Sequence, residues 1–412
     1  MVDWAAGEAA EIARDWARSG VLPLTGHAGE GPCCHRAGQP PSPPGWGDLV
    51  TAAAGRTGID GARLPAERAA MSGGRRRGRS PVGGSCRLPP TLDGWAAVSD
   101  ARPDDPLLWS ALIGRDLDAA ALPGQLATWL ATHTGDELDE RVELLGLAGG
   151  AVRPAPGRGC PLPGPPRDVR EMLVVDFSAL WAGPLCAHLL GLAGAEVVKV
   201  ETPDRPDGAR RSNPAFYDLL HAGHHSVVLD PAHPSSRAAL HSLVGRANVV
   251  IEASRPRALA GFGLDAHAEA ARGCTWISIT AFGRSSQRVG FGDDVAAARG
   301  LLAVDVQGQP VFTGDAVADP LTGLLAAALA LSRPPGKGGA VWDVAMADVV
   351  ATTLSAPTAE GRVVREGDRW LLDTGATTLA VDPPTRRRPA AAAATTGADT
   401  ATVLRRLGIP VP

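Results

Sequence analysis

Asp319 stands in the run Val317-Ala-Asp-Pro-Leu-Thr-Gly323, directly ahead of the apolar stretch LTGLLAAALALS. A carboxylate there has two uses. As a helix N-cap followed by Pro320 at the first helical position, it accepts hydrogen bonds from main-chain N–H groups. As a nucleophile, it attacks an electrophilic carbonyl and divides one hard exchange into two easier ones through a covalent intermediate. Ala182-Gly183-Pro184 offers close backbone approach at a helix N-terminus, where unpaired N–H groups favour an anion; the same residues also make an ordinary structural turn. Asp294, in Gly292-Asp293-Asp294, reads either as a site acid or as a hydrogen-bonded structural one. His224 and His225 suit a phosphate or a simple turn. Cys33-Cys34-His35 lacks a second ligand pair at zinc-site spacing, so no metal is expected.

These residues need elements to hold them. Before Pro154 the pattern is mostly helical: Ala5 to Ser19, Leu126 to Thr132, and Glu137 to Leu145 behind a Thr134/Glu137 capping box. Trp95 to Val98 reads as a strand after Asp93-Gly94. Residues 154–167 (PAPGRGCPLPGPPR) form a linker by composition. Beyond it, strands at Leu173 to Phe177, Glu196 to Glu201, Ser226 to Asp230, Asn248 to Glu252 and Trp276 to Thr280 alternate with helices at Pro184 to Ala193 and Ser235 to Val244. Short β-branched runs alternating with helices predict an α/β fold, a Rossmann-like parallel sheet. The turn after its first strand is neither GxGxxG nor GxxxxGK[ST], which removes the dinucleotide fingerprint and the P-loop. Residues 361–412 read as an extended segment, a flexible Arg/Pro/Ala-rich connection and a last short helix, Asp399 to Leu407.

Bulk properties exclude some function classes. The net charge of −4 gives no general attraction to nucleic acid or anionic membrane. No apolar run approaches the roughly 18 residues of a spanning helix. The opening MVDWAAGEAAEIARDW has no basic region followed by an apolar core, and the cysteines show no framework spacing, so a reduced cytoplasmic protein is expected.

The stretch VVDFSALWAGPLCAHLLGLAGAEVVKVETP (Val174 to Pro203) resembles the opening of the large domain of class III (CaiB/BaiF-type) CoA-transferases. The resemblance continues in order through HAGHHSVVLD, ANVVIEASRP, LAGFGLD, ISITAFG and VADPLTGLLAA, while Cys86 to Gly114 with HTGDELDERVELLGLAG is similar to the family's smaller domain. It implies a Rossmann-like large domain at 168–360 and a smaller mixed α+β domain at about 86–150 within an N-terminal region, 1–153. It further implies an interlocked homodimer, with acyl-CoA and a carboxylic acid as substrates. Asp319 matches the family nucleophile. Trp181, Ala182, Gly183, His224 and Arg255 fall where coenzyme A contacts are expected, with Arg210 and Arg211 as further phosphate partners. The pattern departs at Ala253-Ser254, Gly223-His224-His225 and Gly261. Racemases of the same fold carry Gly-His-Asp where this chain has Gly292-Asp293-Asp294, so proton exchange at an α-carbon is disfavoured.

Overall fold

The structure is a computed structural model and describes residues 4–33, 59–118, 120–253, 256–336, 338–354 and 361–412. Cys34, His35, Ser254 and Arg255 lie outside the described residues.

The N-terminal region contains α1 (Trp4–Arg18), α2 (Glu67–Ser72), β1 (Cys86–Arg87), β2 (Ala96–Ser99), α3 (Asp105–Ile113), α4 (Leu122–Leu130), α5 (Gly135–Leu145) and β3 (Gly149–Ala151). The three strands form an antiparallel sheet in the order β1-β2-β3. The expected capping box starts α5: the Thr134 hydroxyl accepts from the Glu137 N–H, and the Glu137 carboxylate accepts from the Thr134 N–H. Trp109, Leu112, Leu126, Leu130, Leu138 and Val142 close a separate core over this sheet.

The chain then continues through β4 (Leu173–Asp176), α6 (Ala182–Leu192), β5 (Glu196–Glu201), α7 (Ala209–Ser212), α8 (Pro214–His221), β6 (His225–Val228), α9 (Pro234–Val244), β7 (Val249–Glu252), α10 (Pro256–Gly261), α11 (Ala266–Ala271) and β8 (Thr275–Thr280). After these come α12 (Gly292–Ala298), β9 (Leu302–Val304), β10 (Pro310–Phe312), α13 (Ala318–Ala330), β11 (Ala340–Ala345) and α14 (Met346–Leu354). The last elements are β12 (Arg362–Glu366), β13 (Arg369–Asp373), β14 (Thr378–Ala380) and α15 (Thr400–Arg406).

Six strands form one wholly parallel sheet, ordered β11-β8-β7-β4-β5-β6. Alternate residues feed opposite cores. Val174, Val249, Ile251 and Ile277 face one helical layer, whereas Leu173, Val175, Val250 and Trp276 face the other. Each such side chain contributes roughly 1.5–3 kcal/mol by leaving water. This is the Rossmann-like α/β arrangement expected from the strand–helix alternation. The chain enters at β4, moves outward to β5 and β6, then returns to β7 on the other side of β4. Loops leaving β4 and β7 therefore diverge, and a crevice opens at their carboxyl ends.

Two details differ from the sequence reading, and β11 is among the strands that it did not anticipate. Helix α6 begins at Ala182, and α13 begins at Ala318, so Asp319 sits inside the first turn instead of capping it. The sixth strand, β11, carries a central Asp343 that breaks its apolar pattern. That carboxylate accepts from the Arg284 N–H and the Thr280 hydroxyl. Residues 154–167 lie across the sheet domain, fastened by Arg158 to Asp348 and by Arg167 to the Ala330 carbonyl.

Candidate active site

The crevice holds a cleft of about 160 Å3. The end of β4 contributes Leu180 and Ala182, the end of β7 contributes Ala253, and the end of β8 contributes Thr280 and Ala281; Arg288, Phe291 and Asp319 complete the wall. Asp319 is the one carboxylate, and Arg288 the one cation, among the described lining residues.

Local packing fixes Asp319. It stands four residues before Gly323 and so shares a face of α13 with it. A side chain at Gly323 would meet the Ala182 carbonyl at 2.5 Å, so α13 crosses tightly over the start of α6. Gly292 opens α12, and a Cβ there would lie 2.3 Å from Asp319 Oδ2 and 2.6 Å from the Ala316 carbonyl. The Gly292 N–H instead donates to the Asp319 carboxylate. Ala316 adopts φ +45°, an unusual conformation for a residue with a side chain. It is held there because its N–H donates to Asp293 Oδ1 (2.8 Å) and its carbonyl accepts from the Asp319 N–H (2.9 Å). Such strain persists only where the surroundings over-determine it.

The opposite wall is pinned as firmly. Leu180, at φ +70°, donates its N–H to Asp207 at 3.1 Å. Beneath it the fully buried Lys199 lies 3.2 Å from Asp207 and 3.7 Å from Asp176, and donates to the Ser178 carbonyl. Gly183 is required because a Cβ would fall 2.1 Å from that of Ser178. Its close approach thus serves internal packing, while Ala182 is the residue of this turn that faces the cleft. As a first-turn residue Ala182 has an N–H without an intrahelical acceptor.

Three carboxyls cluster here. Burial pushes Asp319 up to about 7; Arg68 opposes the rise, and Asp294 and Asp315 add to it. Asp293 and Asp294 are likewise raised to about 7, chiefly by burial. Asp294 accepts from the Ser99 hydroxyl (2.7 Å) and the Phe291 N–H (3.0 Å), the hydrogen-bonded structural acid of the second reading. Arg68 grips the buried Asp315 through two bonds, 2.9 and 2.5 Å, and lies 4.7 Å from the Trp181 ring centre.

Several residues expected to contact coenzyme A do not line this cleft. Trp181 is 2% exposed, edge-on to Phe216, and packs in the core beside the cleft. His224 is buried and, because of that burial, lowered to about 3, so it is neutral; it packs against His221 and does not line the cleft. Arg210 is committed to Glu201. Arg255 lies outside the described residues. Sequence reading missed Arg288 and Arg68. Arg68 lies in the short helix α2 and Arg288 in the irregular segment between β8 and α12, and no local spacing distinguishes either from a surface arginine.

Residues 169–378, half of the chain, match the family described as CoA-transferase family III. The chain belongs to CoA-transferase family III. Its relatives include the succinate–glutarate CoA-transferase of Agrobacterium fabrum, 31% identical over 207 residues that cover 44% of this chain and 52% of that protein. The succinyl-CoA–D-citramalate CoA-transferase of Chloroflexus aurantiacus is 30% identical over 182 residues, 40% of this chain and 45% of its own length. A CaiB/BaiF family protein from Brucella suis, of known structure, is 24% identical with a TM-score of 0.44, covering 51% of this chain and 66% of that one. This family III chain spans about half the length of the curated relatives it matches. Among its described residues no helix is long and apolar enough to cross a membrane, and no group of three or more His, Cys, Asp or Glu could hold a metal ion.

Proposed function

We propose that the protein transfers coenzyme A from an acyl-CoA to a carboxylate, with Asp319 as nucleophile. The observation that carries this reading is a carboxylate facing a cleft at the carboxyl ends of the parallel strands, at the positive end of α13 and without an ion-pair partner of its own among the described residues. The Asp319 oxygen attacks the thioester carbonyl and expels coenzyme A thiolate, forming a mixed aspartyl–acyl anhydride. The thiolate then attacks the aspartyl carbonyl, releasing the first carboxylate and leaving an aspartyl-CoA thioester. The acceptor carboxylate repeats the two exchanges in reverse order and regenerates Asp319, with no net proton consumed. The free N–H of Ala182 is suited to the oxyanion of each tetrahedral intermediate.

The relatives' names include succinate, glutarate and citramalate, which supports a dicarboxylate acceptor. No histidine lines the cleft among the described residues, which favours acyl transfer over proton exchange at an α-carbon. With this activity go the smaller domain at about 86–150, the linker at 154–167, the large domain at 168–360, the extension at 361–412 and an interlocked homodimer in the cytoplasm. The test is intact-protein mass spectrometry after incubation with succinyl-CoA. Wild type should gain a coenzyme A or acyl adduct that Asp319→Ala lacks. An adduct on both proteins, or on neither, overturns the assignment.

A further inference from the structure

A carboxylate acceptor must approach Asp319, itself a carboxylate with Asp293, Asp294 and Asp315 buried near it outside the cleft lining. Two like charges repel, so productive encounter needs a fixed cation nearby. Arg68 cannot serve, because both arms of its fork are engaged by Asp315. The remaining cation on the cleft wall is Arg288, between β8 and α12.

Its setting is that of a built site. One terminal nitrogen, Nη2, donates to the Gly149 carbonyl at 3.1 Å and to Asp139 at 3.2 Å, and the guanidinium lies 4.2 Å from the Phe282 ring centre. The approach is possible because Gly150 has no side chain; a Cβ there would lie 2.1 Å from Nη2. Nε is sealed from solvent without a partner, and no described group accepts from Nη1. The guanidinium is therefore held on one side and unspent on the other. Asp139 neutralises it only in part, since that carboxylate also accepts from the Ala151 N–H. With Nε sealed and Nη2 spent, Nη1 is the donor left to meet a carboxylate, on a cation held in a fixed orientation.

We propose that Arg288 is the docking residue for the carboxylate substrate, holding the free carboxylate that leaves after the first half of the reaction and then the acceptor that replaces it. This assignment rests on the transferase reading of Asp319. It makes the N-terminal sheet part of the acceptor site, because β3 and α5 hold the arginine from behind. The leaving and entering carboxylates share one place, so they compete.

The experiment separates the two halves of the reaction. Wild type, Arg288→Met and Arg288→Lys are each treated with succinyl-CoA alone, and then with glutarate as acceptor, with thermal melts confirming that the variants fold. Arg288→Met should still form the Asp319 adduct, whereas its KM for glutarate should rise roughly 10- to 100-fold, the worth of a charge-assisted hydrogen-bonded contact. Its KM for succinyl-CoA should stay within about twofold, a margin below the loss of one such contact. Arg288→Lys, which keeps the charge without the fork, should fall between. An unchanged KM for glutarate overturns the proposal. Loss of the adduct in Arg288→Met also overturns it, by assigning the arginine to the donor step. Absence of an adduct on wild type refutes the transferase reading itself, and this inference with it.

Discussion

Replacing Asp293 by asparagine should make the protein more stable at alkaline pH and leave it nearly unchanged in acid. Asp293 is buried between Asp315 and Arg68 and raised from 3.8 to about 7, with burial the largest cause. Its folded pKa thus exceeds its unfolded one. The stability linked to its protonation is fully present below pH 3.8 and is lost as pH rises through about 7. At about 1.4 kcal/mol per pKa unit, ionising it inside the fold costs roughly 4 kcal/mol. Because Asp294 and Asp319 titrate in the same range and compete for the same protons, the gain from one substitution is about 1–4 kcal/mol at pH 8. Asparagine cannot ionise, yet its Oδ1 still accepts from the Ala316 N–H, so the strained turn before α13 keeps its anchor. Urea unfolding at pH 4.5, 6.5 and 8 measures the difference. A stability gap that is constant with pH, or one that widens in acid, refutes the electrostatic account of the cluster.

Gly292→Ala should lower stability by about 1–3 kcal/mol through overpacking, and should abolish adduct formation because its methyl displaces the Asp319 carboxylate; an active Ala variant contradicts this geometry. Arg68→Met leaves the buried Asp315 unpaired and should destabilise the fold by about 3–5 kcal/mol, read by denaturant unfolding at pH 8. Adduct formation in wild type should follow the ionised form of Asp319, falling in acid with a midpoint near 7 and levelling above it. A midpoint near 4, measured by quenched-flow mass spectrometry, would show that burial does not raise this group.

The parallel sheet was legible because its strands are buried on both faces and read as short β-branched runs, as in Glu196 to Glu201 and Trp276 to Thr280. The capping box at Thr134 was legible because it is a purely local pattern. Asp319 stood out through ordered motifs, yet its position inside the first turn did not: Asp-Pro signals a cap, whereas the helix starts at Ala318, two residues before Pro320, and packs against α6. His224 was open to a phosphate or a turn role, and its burial was not legible because sequence does not report it. Arg288 and Arg68 were invisible for the converse reason. Their roles arise from partners 139 and 247 residues away along the chain.

The end of the chain also bears on how these molecules coexist in solution. Strand β6 closes one side of the parallel sheet, and an open strand edge is a template on which another chain can pair. Here the Asp399 side chain accepts from the Ser226 N–H, the Asp399 N–H donates to the Ser226 carbonyl, and the Thr400 hydroxyl accepts from the Val228 N–H. Arg406 then clamps α15 to Glu196 on the neighbouring strand. The tail occupies the edge with side-chain and helix-terminal groups and not with another strand, so it satisfies the edge without offering a new one. Loss of this short segment would take Val403, Leu404 and Ile409 out of the core on this face of the sheet and expose a β-branched border, so lost stability and aggregation would appear together.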